Sequence, residues 1–329
     1  MITCSAPGSL ICMGEYAALA GYPTIVAAVN ERFTVSVMPI DMPVLDVYSG
    51  TFGACTIDLS TLSAPPAYQY TLSSFKQFLP KLQHQGFRIH FHSDVGIDKQ
   101  LGLSAAITVA LCSAFYHHIH GHLNLEDICA LACQAVLSVS IHSSCADVIA
   151  STYGGILRYV MKTPDRPASI RRIWIDLPVF AVYSGYVTSE SIVMHRGLMR
   201  EKTYPLVYQK IHEEIGELSH TFFEEAKNDH PEVLGQLLLR GNTALRAYEI
   251  QTKETKEIMQ RLQLLKTVYG AKISGAGLGG CVIGLGSVNP SDLNPYDVIS
   301  LSVDDVGVRL DPRIHDTKNQ NTGSCFGAV

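Results

Sequence analysis

The chain has 329 residues, more than one typical hydrophobic core holds, which predicts two domains. Charged residues make up 17%, apolar ones 47%, and the formal charge is −5, which argues against nucleic acid or an anionic membrane as partner, so that any anion site must be local. Nine cysteines without paired spacing read as free thiols in a reducing cytoplasm, no basic stretch precedes the apolar start, and no apolar run is long enough to span a bilayer.

The first predicted segment, Ser5 to Asn30, is apolar and punctuated by Pro7-Gly8, Gly14-Glu15 and Gly21-Tyr22-Pro23. Glu15 is its lone charge, and such a carboxylate is either paired in a core or lines a pocket. The second part of Thr24 to Val37 alternates as a strand does, and Phe87 to His92 alternates again. A small-residue loop, Gln100 to Ala106, leads into a helix that begins near Ser104, and a second helical stretch covers Leu123 to Val139. Gly154-Gly155 breaks the chain before the strand ILRYVM, and Lys162 to Ala168, with two prolines among charges, is the best linker candidate. A strand restarts in Trp174 to Tyr183. Helical stretches follow over Ser189 to Arg200, Pro205 to Asn228 and Pro231 to Tyr248. Mixed strands and helices without strict βαβ repetition predict an α+β fold.

Four segments carry chemistry. Lys272 to Leu285, KISGAGLGGCVIGL, loses its side chains at Gly275, Gly277, Gly279 and Gly280 and then resumes as a strand. It reads equally as a tight strand connection or as a backbone that approaches an anion closely. In Gln100 to Ala106 the helix start offers unpaired N–H groups and the positive end of the macrodipole, and Ser104 is placed either to cap the helix or to reach a phosphate or Mg²⁺. Asp147, among the small residues of Ser143 to Gly155, is either a turn former or a carboxylate held near a substrate hydroxyl. The fourth is the Ser5 to Asn30 segment around Glu15. The histidines of HHIHGH (His117, His118, His120, His122) read more simply as partners of a helix C-terminus than as metal ligands. Cys145 and Cys281 read as packing residues, and the basic run from Arg196 to Lys202 as a solvated helix face or a site for entering anions.

In this order the four segments resemble the GHMP kinase superfamily. Ser5 to Asn30 is similar to the family motif APGKVxLxGEHAVVxGxPAI, Gln100 to Ala106 to GLGSSAA, the Asp147 segment to PSGxDN or GSGxDV, and Lys272 to Leu285 to KxTGAGGGGCxxAL. Within the superfamily, GEYAALAGYP and the Thr188 to Val193 run look most like the mevalonate kinases, with phosphomevalonate kinases next. The resemblance implies a two-domain GHMP kinase fold, an N-terminal ribosomal-protein-S5-like α/β domain over 1–165 and a C-terminal ferredoxin-like α+β domain over 166–329, with the active site in the cleft. It implies transfer of the γ-phosphate of ATP, with Mg²⁺, to a small-molecule alcohol such as mevalonate, with a homodimer as one compatible state. By the same resemblance Asp147 is catalytic. Glu15, Tyr16, Ser189, Gly275 and Ala276 bind substrate, whereas Lys99, Gly102, Leu103, Ser104, Ala105, Ala106 and Gly277 bind ATP phosphates, with Ser104 also on the metal. Four positions depart from the pattern. Ser9 replaces the lysine of APGK, a cation that would lower the aspartate pKa. Leu103 replaces the first serine of GSSAA, Tyr16 the histidine of GEH, and Val136 stands at the magnesium-binding glutamate, with Asp98, Lys99 and Glu190 as candidate substitutes. A phosphomevalonate kinase or a catalytically impaired ligand binder is the alternative.

Overall fold

The computed structural model of the chain describes residues 1–93, 101–164, 166, 168–173, 175, 177–186, 188–228 and 230–312. Two antiparallel strands, β1 (Ile2–Met13) and β2 (Thr24–Ile40), form the spine of the larger sheet. Their pairing shifts register at Pro7/Gly8 and at Ile11/Met13, which bends the first motif away from a regular ladder. After the hairpin of β3 (Val44–Ser49) and β4 (Gly53–Asp58), the short helices α1 (Gln69–Lys76) and α2 (Leu79–Leu82) lead to β5 (Gly86–Ser93), which pairs antiparallel with β2 and parallel with β3.

Three helices follow: α3 (Leu103–His120), α4 (Leu125–Val139), whose first turn is capped by the Asn124 side chain, and α5 (Ala146–Tyr153). With α1 they bury Phe75, Phe87 and Phe115 in edge-on contact at 5.3–6.2 Å between ring centres. This aromatic cluster fixes α3 over the sheet, and hence the position of its N-terminus. His117, His118 and His120 occupy the last turn of α3, beside the carbonyl end of the helix.

Strand β6 (Ile156–Val160) pairs with the start of β2, and β7 (Ser169–Ile173) pairs with β6. The segment Lys162 to Ala168 is therefore the loop of a β-hairpin, closed by a bridge between Thr163 and Arg166, and the larger sheet continues to Ile173. Pro and charge mark a hairpin loop as readily as a linker, and pairing decides between them.

The second sheet contains β8 (Val179–Tyr183), β9 (Val268–Ile273), β10 (Cys281–Gly286) and β11 (Asp297–Leu301) in the order β11-β8-β10-β9, all antiparallel. Helices α6 (Glu190–Thr203), α7 (Pro205–Glu225), α8 (Pro231–Leu245) and α9 (Lys253–Leu262) lie between β8 and β9 in sequence. Prolines at the first turns of α7 and α8 and a Thr252–Thr255 capping box on α9 set their starts. Helix α8 presses on β9 where Gly235 meets Gly270; a Cβ on Gly270 would lie 2.0 Å from the Gly235 carbonyl oxygen. The architecture is α+β. Leu10, Met13 and Ile25 of the first sheet share one core with Leu234, Leu237, Ile283 and Leu285 of the second unit, and β12 (Arg309–Leu310) returns to pair with β1. The two halves are thus joined by a packed core directly beneath the functional motifs.

Candidate active site

A cleft of about 450 Å³ brings the four motifs together. It is lined by Ser9, Glu15 and Tyr16 from the first, Gly102 to Ala105 from the second, Ser143, Ser144 and Asp147 from the third, and Ser274 to Gly277 from the fourth.

The glycine-rich connection between β9 and β10 is a tight turn that also leaves open backbone at the cleft. Gly277, Leu278, Gly279 and Gly280 all have positive φ, and a Cβ on Gly277 or Gly279 would lie 2.5 Å from Ile250 or 2.7 Å from the Tyr186 carbonyl oxygen. Those glycines let the turn pack, with Leu278 N–H donating to Ile250 O (2.8 Å) and Gly280 N–H to Tyr186 O (2.9 Å). Gly275, at φ 76°, has open space where its Cβ would stand and faces the cleft.

Lys272, fully buried on β9, forms an ion pair with Glu15, which is 5% exposed. Its ammonium also donates to the Ile273 carbonyl (2.5 Å) and reaches toward that of Ile11 (3.5 Å). Burial pushes the Glu15 carboxyl above its usual range, and the neighbouring ammonium opposes that push only in part. Both alternatives for the lone carboxylate therefore hold at once: one oxygen is paired in the core, and the residue lines the cleft. The other oxygen, Oε2, is buried, and the backbone N–H groups of Glu15 and Gly275 also favour the charged carboxylate. A single cation in the apolar strand VYGAKI and a single anion in the first motif were the available signal for this pair.

Tyr16, at φ 63°, donates from its hydroxyl to the Ala276 carbonyl (2.7 Å) and stacks on Tyr248 with 3.9 Å between ring centres. It ties the first motif to the fourth across the cleft. Behind it, the Tyr248 hydroxyl donates to Glu201 (2.8 Å) and lies 2.7 Å from His212 Nε2. Sequence reading missed Tyr248, because nothing near Ala247 marks a residue that reaches the first motif.

Helix α3 begins at Leu103 after Gly102 in the left-handed conformation, without a side-chain cap. The first N–H groups of the helix, at Leu103, Ser104 and Ala105, lie at its N-terminal end along the cleft wall. Ala106 differs: its N–H already donates to Gly102 O (3.1 Å), and its side chain is buried in the core. Ser104 is exposed on the cleft side.

Asp147 sits in the first turn of α5, after Cys145 at φ 62°. Ser143 and Ser144 hydroxyls accept from the N–H groups of Cys145 (3.1 Å) and Ala146 (3.3 Å), which shapes the turn that presents it. Ser9 donates its hydroxyl proton to Asp147 Oδ1 at 2.7 Å. Burial raises the Asp147 pKa above the ordinary carboxylate value, while the Ser9 hydrogen bond lowers it by less.

Ser189 is exposed at the start of α6 and is not among the cleft-lining residues; its neighbour Thr188 lines the cleft and donates to the Leu278 carbonyl (2.6 Å). Val136 lines the cleft as an apolar wall. Among the described residues no group of three His, Cys, Asp or Glu is placed to hold a metal. Lys99, Asp98 and the Glu190 side chain lie outside the described residues. The basic run is a salt-bridged surface: Arg196 (3.4 Å) and Arg200 both pair with Glu249.

The family model for the GHMP kinases N terminal domain matches residues 69–155, and that for GHMP kinases C terminal matches residues 222–293. Mevalonate kinase of Archaeoglobus fulgidus is 28% identical over 281 residues, covering 85% of this chain and 91% of the relative. In structure, the Methanococcus jannaschii mevalonate kinase superposes with a TM-score of 0.73 at 22% identity, covering 92% of this chain and 98% of the other. The Streptococcus pneumoniae phosphomevalonate kinase, in complex with phosphomevalonate and AMPPNP, gives 0.76 at 16%, covering 92% and 100%.

Proposed function

Because this chain belongs to the GHMP kinase superfamily, we propose that it is an ATP-dependent kinase whose acceptor is the primary alcohol of mevalonate. The observation that carries the reading is the placement of the Asp147 carboxylate in one cleft with the N-terminus of α3 and the open Gly275. The N–H groups at the start of α3 hold the ATP phosphates, and Asp147 accepts the proton of the acceptor hydroxyl. The alcohol oxygen then bonds to the γ-phosphorus as the bond from phosphorus to the β–γ bridging oxygen breaks, its electron pair leaving with ADP. Such transfer depends on positioning and charge stabilisation, which fixed backbone donors supply.

Mg²⁺ belongs to this reading as the partner of the nucleotide. The donor set fits an ion held mainly by phosphate oxygens, since Mg²⁺ keeps waters and takes few protein ligands, and Ser104 is the hydroxyl that would hold it. When bound it neutralises phosphate charge. Among the described residues no Lys or Arg side chain lines the cleft, whereas Glu15 and Asp147 do. Among the described residues no helix is long and apolar enough to cross a membrane, and a cytoplasmic location with reduced thiols accompanies the reading.

A coupled assay of ADP release with ATP and either mevalonate or phosphomevalonate tests it. Turnover of mevalonate is expected, with kcat lower by about 10²–10⁴ in Asp147→Asn. An equally active variant would remove Asp147 from the chemistry. Saturable binding of nucleotide without ADP production would make the chain a ligand binder.

A further inference from the structure

We propose that Ser9 is the positioning residue for Asp147, a neutral hydroxyl donor that orients the carboxylate toward the acceptor. The inference rests on the phosphoryl-transfer reading above and extends it to a residue outside that assignment. The contact is direct, Ser9 Oγ–H to Asp147 Oδ1 at 2.7 Å, between residues 138 apart in sequence. Ser9 is itself held. It is 2% exposed on β1, its N–H donates to Leu101 O (2.9 Å), and it pairs in register with Ala28 of β2. Gly102 closes over it in the left-handed conformation, where a Cβ would lie 1.9 Å from Ser9 Oγ. The hydroxyl that touches the carboxylate therefore also abuts Gly102, the residue that precedes α3, so one small side chain sets the spacing between the proton acceptor and the phosphate-facing helix end.

A hydroxyl differs from an ammonium in what it does to a base. Both orient a carboxylate by hydrogen bonding, but a cation stabilises the ionised form far more and so lowers its proton affinity. With Ser9 as donor, burial outweighs the hydrogen bond and Asp147 keeps a proton affinity above that of an ordinary aspartate. That suits a group that must take a proton from an alcohol. Of the titratable groups around it, Cys145 on the preceding turn feels its charge. Glu15 and His142 share the cleft, Glu15 being tied to Lys272. Cys129 and Cys133 lie on α4, which packs against α5.

The test compares Ser9→Ala, Ser9→Thr and the parent in two readouts. The first is the pH dependence of kcat with ATP and mevalonate. The acid limb of Ser9→Ala is expected to move about one pH unit toward alkali, with kcat down about ten-fold on the acid side of the limb and recovering at higher pH. Ser9→Thr, which keeps the hydroxyl, should restore the parent limb. The second readout is the carboxyl ¹³C titration of Asp147 by NMR, assigned with Asp147→Asn, which needs no turnover and should show the same displacement. An unmoved titration in Ser9→Ala overturns the proposal, as does a loss of kcat that is equal at every pH. If Ser9→Ala does not fold, Ser9→Cys takes its place, and its weaker donor must give a limb between those of the parent and full loss. A parent that phosphorylates no alcohol while the titration moves as expected would sink the functional reading and leave the Ser9–Asp147 pairing standing.

Discussion

Removing the buried ammonium in Lys272→Met should destabilise the protein by about 3–5 kcal/mol near pH 8, the range for leaving one member of a buried ion pair alone. The side chain is fully buried, its partner Glu15 is 5% exposed, and the carbonyls of Ile11 and Ile273 lose a donor at the same time. Methionine fills a similar volume, so the cost is electrostatic and little of it comes from a cavity. The sign with pH follows from Glu15, whose carboxyl is already pushed up by burial in the parent and loses its opposing charge in the variant. A carboxyl with a higher pKa folded than unfolded costs stability above its folded pKa, and that cost disappears as pH falls through the folded value toward the unfolded one, about 4.3. The deficit of Lys272→Met should therefore be largest near pH 8 and shrink toward about pH 5. Urea unfolding followed by circular dichroism across that range measures it. The double variant Lys272→Met/Glu15→Gln should recover about 1–3 kcal/mol at pH 8 through the coupling term. A deficit below about 1 kcal/mol, or one independent of pH, would refute the view that this pair is an uncompensated charge problem solved by Lys272.

Gly277→Ala, with a Cβ 2.5 Å from Ile250 and φ 87°, should cost about 2–4 kcal/mol in thermal or urea unfolding. Gly275→Ala meets only its left-handed backbone, about 1–2 kcal/mol, yet its methyl enters the cleft, so nucleotide or acceptor affinity measured by calorimetry should fall more than stability does. Tyr16→Phe keeps the stack on Tyr248 and loses the bond to Ala276 O. It should cost about 1 kcal/mol and raise the acceptor KM several-fold with a smaller change in kcat. Asp147→Asn should stabilise the fold by on the order of 1 kcal/mol near pH 8, a gain that vanishes as pH falls through the raised folded pKa of Asp147, while turnover is lost. Thermal unfolding at several pH values reads that exchange of stability for function.

Local chemistry wrote much of this protein into its sequence. The alternation of β2 and β5, the helical spacing of α3, α4, α7 and α8 and the glycines of the β9–β10 connection are short-range patterns, and they place strands, helices and close backbone approaches without reference to the rest of the chain. The order of the four motifs was likewise legible. Pairing across the fold was not, because no local pattern says which lone polar residues meet when they lie 138 or 257 residues apart. Whether Lys162 to Ala168 linked domains or closed a hairpin was settled by the ladder between β6 and β7. Whether the glycines of the fourth motif packed or opened was settled one residue at a time, by Ile250 and Tyr186 on one side and empty cleft beside Gly275 on the other. The residue types at positions 9, 15, 147 and 272 were fixed by the chain itself. Which of them met, and how burial then moved the proton affinities of Glu15 and Asp147, depended on the dielectric and the neighbours that only the folded cleft supplies.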